Sequence, residues 1–203
     1  MKIICIGRNY VAHIKELGNQ IPAEPVLFIK PKSALVVQNH PFYYPEFTNE
    51  LHYEAELVVK IIKNGKYITK DVASMYYNQI TVGIDFTARD IQNQLKENGL
   101  PWEKAKAFDG SAAVGTFINI ADLPNTNDIN FGLKLNGAYV QQASSNQMIY
   151  SIAAIIEEAS KYFTLNIGDL IYTGTPAGVG ECVTGDLLEG YVNGQQLLKI
   201  EVN

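Results

Sequence analysis

Leu51-His52-Tyr53-Glu54-Ala55-Glu56-Leu57-Val58-Val59-Lys60-Ile61-Ile62 reads as a β-strand that carries two carboxylates two residues apart. Side chains at i and i+2 of a strand share a face, so Glu54 and Glu56 point the same way. The alternate positions Leu51, Tyr53, Ala55, Leu57, Val59 and Ile61 form a continuous apolar face that calls for a core. Two like charges beside an apolar layer repel each other and lose hydration unless a cation sits between them or the strand opens to water. Two readings follow, a site for a divalent metal and a solvated edge strand with two surface glutamates.

Outward from this strand, the 203 residues, 47% hydrophobic and 18% charged, suffice for one substantial core, and 1–203 reads as a single domain. Other strand-like segments cover 3–6, 26–30, 80–85, 113–119, 131–136, 169–173 and 197–202, and Val192-Asn193-Gly194 has the form of a two-residue hairpin turn. Three helices are expected. The first runs from Val11 to Leu17 and ends at Gly18-Asn19. The second starts at a capping box, Thr87-Ala88-Arg89-Asp90, and stops at Gly99 and Pro101. The third begins near Ser151, with Ile152, Ile155, Ile156, Ala159 and Phe163 on one apolar stripe and Glu157 and Glu158 turned away. The pattern is strand-rich α+β, not the regular alternation of a doubly wound sheet.

The net charge of −5 argues against nucleic-acid or anionic-membrane partners. No apolar run is long enough to span a bilayer, and Gly7-Arg8-Asn9 comes too early for a secretory signal, so a cytoplasmic protein is expected. Cys5 and Cys182 are far apart and form no CxxC; Cys5, within Ile3-Ile4-Cys5-Ile6, reads as a buried core thiol.

Asp85 ends the apolar strand before Thr87 and reads either as a turn aspartate or as a third carboxylate beside Glu54 and Glu56. An all-oxygen set of that kind suits Mg²⁺ or Mn²⁺. His13 and Glu16, three apart on a helix, can pair as an oriented general base or stand as a surface pair. Gly168 to Gly180 runs from a strand into a glycine-rich turn without the signature of a phosphate loop; its amides can approach an anion, or simply make tight turns.

GRNYxxH near the start, EPVLFIKP (Glu24 to Pro31), HxExE within LHYEAELVV, DFTARDIQ, PWEKAKAFDG and GDLIYTGTPAGVG occur in an order that resembles the fumarylacetoacetate hydrolase family. The short amino-terminal part is similar to its compact acylpyruvase and oxaloacetate decarboxylase branch. The resemblance implies a mixed β-sandwich roll, a single catalytic domain with a lid-like segment at about 9–20, and a homodimer. It implies that Glu54, Glu56 and Asp85 bind Mg²⁺ or Mn²⁺ and that Lys106, not Lys104, is the active-site lysine. His13 and Glu16 match the family's lid pair, Arg89 and Gln92 its pocket wall, and Thr175 its carboxylate contact. Arg8 is a further candidate for the same anion, whereas Lys30, though it matches a family lysine, is taken as structural.

The implied activity is metal-dependent C–C bond cleavage of small 2-oxo acids, by acylpyruvate hydrolysis or oxaloacetate decarboxylation. Alternatives with the same metal site are oxaloacetate keto–enol tautomerisation and decarboxylation, isomerisation or hydration of 2-oxo-dienoates. A noncatalytic metal-dependent binder of 2-oxo acids stands further off.

Overall fold

The structure, a computed structural model, describes residues 1–16, 18, 20–36 and 40–203. In chain order its strands are β1 (Ile3–Gly7), β2 (Val26–Lys30), β3 (Leu35–Val36), β4 (Leu51–Tyr53), β5 (Ala55–Ile61), β6 (Tyr77–Asp85), β7 (Thr87–Ala88), β8 (Ala112–Val114), β9 (Ile118–Asn119), β10 (Asn130–Leu135), β11 (Ala138–Ser144), β12 (Leu170–Tyr172), β13 (Gly180–Glu181), β14 (Leu187–Val192) and β15 (Gln195–Glu201). The α-helices are α1 (Val11–Glu16), α2 (Arg89–Glu97), α3 (Glu103–Lys106) and α4 (Ile152–Tyr162). One sheet runs β2-β1-β12-β5-β6-β8-β3 with β9 attached to β6, a second runs β11-β10-β14-β15, and a third is β13-β4-β7.

The expected strand over 51–62 is divided. It changes sheets at Glu54: β4 pairs with β13 and β7, whereas β5 pairs with β12 and β6. Alternation along β5 then sorts two environments. Ala55, Leu57, Val59 and Ile61 enter the main core together with Ile80, Val82 and Ile84 of β6 and with Leu133, Leu188 and Leu198 of the second sheet. Glu56 and Val58 face the other way, where Ile3, Cys5, Leu170 and Tyr172 make a smaller cluster. Both faces of the large sheet's centre are therefore covered. Glu54 and Glu56 are 5% and 1% exposed, which removes the reading of a solvated edge strand.

The hairpin at Asn193-Gly194 forms as expected, with both residues at positive φ between β14 and β15. A second one, Asn136-Gly137 between β10 and β11, carries the same signal and lies where the expected strand 131–136 ends. The expected strand over 113–119 is interrupted because Gly115 packs against the backbone of Leu197, where a Cβ would lie 2.7 Å from the carbonyl oxygen.

Helix α4 starts at its Ser151 cap and buries Ile155, Ile156 and Ala159. Helix α2 departs from expectation. Its cap position is Ala88 with no side-chain cap bond, and Thr87 is buried in β7 with its hydroxyl spent elsewhere. Asp90 accepts from the Thr48 hydroxyl and the Asn49 amide. Helix α1 closes at Glu16; Leu17 and Asn19, assigned above to its end, lie outside the described residues. No helix among the described residues is long and apolar enough to cross a membrane.

Gly83 of β6 pairs with Glu56 across the sheet, and a Cβ there would lie 2.7 Å from Ala113 O and 2.8 Å from both the Tyr172 ring and Val58. Gly83→Ala is expected to destabilise the fold by about 3 kcal/mol, since overpacked backbone has nowhere to shift. Urea denaturation will register this as a lower midpoint with an unchanged slope.

Candidate active site

Three carboxylates converge. One oxygen from each of Glu54, Glu56 and Asp85 lies within 4.8 Å of the others, and all three residues are buried. The fold makes this convergence by register. Glu54 sits at the switch between β4 and β5, Glu56 follows on the same face, and the amide of Asp85 at the end of β6 donates to the Glu54 carbonyl at 2.8 Å.

Three buried cations answer the three acids. Lys106 on α3 reaches Glu54 at 2.7 Å and Asp85 at 2.8 Å, and donates to the Thr87 hydroxyl at 2.6 Å. Arg89 pairs with Glu54 and donates to Gln92 Oε1 at 2.6 Å and His52 Nδ1 at 3.3 Å. Lys30 Nζ lies 2.7 Å from Asp85 Oδ1 and donates to the Ser111 carbonyl at 2.8 Å. Lys30, taken as structural on the sequence, is fully buried and holds one of the three carboxylates from outside the cavity lining. The signal was present in Val26-Leu27-Phe28-Ile29-Lys30, where a lysine ends an otherwise apolar strand. Lys106, not the exposed Lys104, is the lysine in the site, as the resemblance implies.

Burial would raise the Glu54 carboxyl, but Lys106 and Arg89 outweigh it and hold that group well below the usual carboxylate range. Burial would lower Lys106, but Asp85 and Glu54 hold it above the ordinary lysine value, so it stays an ammonium. Glu56 is the odd member. Burial first, then the neighbouring Asp85, push its carboxyl well above the usual range, against one bond from the Gly174 amide at 2.6 Å. A set of hard oxygen donors in which one carboxylate lacks a cation of its own suits a divalent ion such as Mg²⁺ or Mn²⁺.

The glycine-rich turn uses its amides on the chain's own acids. Gly174, at φ +98° and with no room for a Cβ beside Asn9, donates to Glu56; Gly178, also at positive φ, donates to Glu16 Oε1 at 3.0 Å. The other oxygen of Glu16 meets His13 Nδ1 at 3.2 Å, and His13 is 6% exposed, so the two form an oriented pair and not a surface one. Thr175 is held by Gln141, whose Nε2 donates to the threonine hydroxyl at 2.9 Å and whose Oε1 accepts from the Ala55 amide. Gln141 gave no sign of this role, because it sits in a polar strand that reads as solvent-facing.

A cavity of ≈ 40 Å³ lies among these groups, and Arg8, His13, Arg89, Gln92 and Thr175 all line it beside the three carboxylates. All the predicted site residues except Glu16 thus line one cavity, and Glu16 meets it through His13. Lys96 and Trp102 line it too and were not anticipated. Lys96 follows Gln92 by four and Arg89 by seven, a helical spacing that contained the clue. A larger cleft of ≈ 290 Å³ shares Phe28, Trp102 and Lys106 with this cavity but is otherwise mainly apolar.

The chain matches the family described as Fumarylacetoacetate (FAA) hydrolase C-terminal over residues 2–202. It is 43% identical over 188 residues to the mitochondrial oxaloacetate tautomerase fahd-1 of Caenorhabditis elegans, covering 93% of this chain and 88% of that protein. It is 40% identical over 197 residues to the oxaloacetate tautomerase YcgM of Escherichia coli (strain K12), covering 97% and 90%. Among solved structures, fumarylpyruvate hydrolase from Pseudomonas aeruginosa in complex with Mn²⁺ and pyruvate superposes with a TM-score of 0.94 at 36% identity, covering all of this chain and 89% of that one. With strand-rich curled sheets, a converged acid set and a match along nearly its whole length, this chain belongs to the fumarylacetoacetate hydrolase family.

Proposed function

We propose that this protein catalyses the keto–enol tautomerisation of oxaloacetate, with Mg²⁺ or Mn²⁺ held by Glu54, Glu56 and Asp85. The observation that carries the reading is the meeting of the three carboxylates with the His13–Glu16 pair and Lys106 around one small cavity. The two relatives named as oxaloacetate tautomerases favour this reaction over the decarboxylation that the resemblance first suggested.

When bound, the ion supplies a Lewis acid for the 2-oxo acid end of the substrate. The chain's own groups do the proton work. Glu16 accepts from His13 Nδ1–H, which leaves the Nε2 lone pair as the base. In the keto-to-enol direction, His13 takes a proton from C3, the electron pair left behind becomes the C2=C3 bond, the 2-oxo oxygen gains the charge, and the imidazolium returns a proton to that oxygen by way of water, so that His13 ends neutral. The reverse reaction returns the C3 proton from His13. Lys106 spends its three donors on Glu54, Asp85 and Thr87, so in this arrangement it offers the oxyanion a fixed positive charge and not a hydrogen bond. Thr175, held by Gln141, and Arg8 are the groups proposed to receive the substrate carboxylate.

Hydrolytic cleavage of an acylpyruvate is the second reading, favoured by the likeness to fumarylpyruvate hydrolase. It needs the same enolate and, in addition, a water delivered by His13 to the distal carbonyl.

Enol absorbance of oxaloacetate, followed with Mg²⁺, with Mn²⁺ and with chelator, tests the proposal. The protein is expected to speed decay of the enol beyond the free-metal rate, and His13→Ala to lose roughly 10²–10³-fold of that acceleration. No acceleration from protein shown by calorimetry to bind the ion would overturn the tautomerase reading; pyruvate release from acetylpyruvate in its place would establish the hydrolase. Lys30→Met, which leaves Asp85 with Lys106 as its one remaining ion-pair partner, is expected to cost about 3 kcal/mol in urea unfolding, as is usual when one partner of a buried pair is removed.

A further inference from the structure

Lys30, Lys106 and Arg89 are taken up by Glu54 and Asp85, yet two more cations, Arg8 and Lys96, line the same cavity. Neither forms an ion pair among the described residues. Lys96 stands in the last turn of α2, half-buried, with its Nζ donating to Gln92 Oε1 at 3.1 Å and 5.7 Å from the centre of the Trp102 ring. Gln92 Oε1 also accepts from Arg89, whose other end grips Glu54. The relay Glu54, Arg89, Gln92, Lys96 thus sets an ammonium in the cavity wall, three contacts removed from the nearest acid of the cluster. An aromatic face and one amide oxygen hold it there, but among the described residues no carboxylate forms an ion pair with it.

A half-buried ammonium beside other cations costs free energy that the fold does not recover. Burial first, then Arg89, with Lys106 and Arg8 adding to them, push Lys96 down to about 8, while Glu54 pulls the other way. Such a charge is well placed to meet an anion that arrives with the ligand.

We infer that Lys96 recognises the second carboxylate of the substrate, the one remote from the 2-oxo acid end, and so sets a preference for dicarboxylic over monocarboxylic 2-oxo acids. The inference rests on the 2-oxo acid reading above and makes Lys96 a specificity-determining residue with no part in moving protons. A methyl ketone in place of the second carboxylate leaves Lys96 as it stands and gains nothing from it.

The test compares two ligands on the Mn²⁺-loaded full chain. Oxalate offers only the chelating end; 3,3-difluoro-oxaloacetate adds the second carboxylate and cannot enolise. Loss of one charge-assisted contact in Lys96→Gln is expected to weaken the difluoro compound, and raise KM for oxaloacetate, about tenfold, with oxalate affinity within about twofold and kcat within about threefold. Lys96→Arg is expected to restore most of the loss. In the unaltered protein KM for oxaloacetate should climb as pH rises through about 8, where Lys96 loses its proton, and should stay flat in Lys96→Arg. Of the groups facing Lys96, Arg89 lies on its own helix and Arg8, Lys106 and Glu54 on neighbouring elements; Lys106 is shifted up and Glu54 down, out of that range.

Equal weakening of oxalate and the difluoro compound would overturn the inference and make Lys96 a prop for Gln92 and Arg89. Unchanged binding of both would remove it from recognition altogether. Selective loss of the difluoro compound in a protein that does not tautomerise oxaloacetate would sustain the inference and sink the proposed activity.

Discussion

Three carboxylates buried within a few ångströms of one another are the constraint around which this molecule is arranged. Uncompensated, they would repel and lose hydration at a cost no single core contact could offset. The protein answers with Lys30, Lys106 and Arg89, each brought from a different element, and each itself too deeply buried to be left alone. The pairing is asymmetric. Glu54 has two cations and Asp85 has two, with Lys106 shared between them, while Glu56 has only a backbone amide. That asymmetry leaves room for one more positive charge beside Glu56.

The fold supplies the constraint through ordinary alternation. Along β5 and β6 every second side chain enters the main core, and the positions between them form the floor of the site. The strand that reads as a single run over 51–62 has to leave one sheet and join another at Glu54, and this break aims the Glu54 carboxylate at Asp85 instead of along the sheet. Gly83, opposite Glu56, admits the Tyr172 ring beneath the site. Core and chemistry are thus two faces of the same few strands.

Much of this is legible in the sequence, because the chemistry-bearing residues sit at local spacings: Glu54 and Glu56 at a strand's period, His13 with Glu16 and Arg89 with Gln92 at a helix's. What stays hidden depends on chain-distant contacts. Thr87 has the form of a helix cap, and only Lys106, nineteen residues on, shows why its hydroxyl is used elsewhere. Gln141 lies in a strand with no regular apolar alternation and reaches Thr175 and Ala55 across the two sheets. The short strands β3, β7 and β13 have too few residues for any periodicity and exist because neighbours pair with them. Lys30 is the opposite case, since a charge ending a fully apolar run demands a buried partner even when the sequence does not say which.

The turn from Gly174 to Gly178 holds Glu56 by its first amide and Glu16 by its last. The acid that meets Glu54 and Asp85 and the acid that pairs with His13 therefore hang from two ends of one five-residue span, pinned between Asn9 on one side and the Val140 carbonyl on the other. A displacement of that span would disturb both carboxylates together, and α1, whose His13 and Ile14 are buried, is tied to it by the bond from the Gly178 amide to Glu16. The span therefore works as a single bracket: whatever shifts the glycine turn moves the acid beside Asp85 and the acid beside His13 in step.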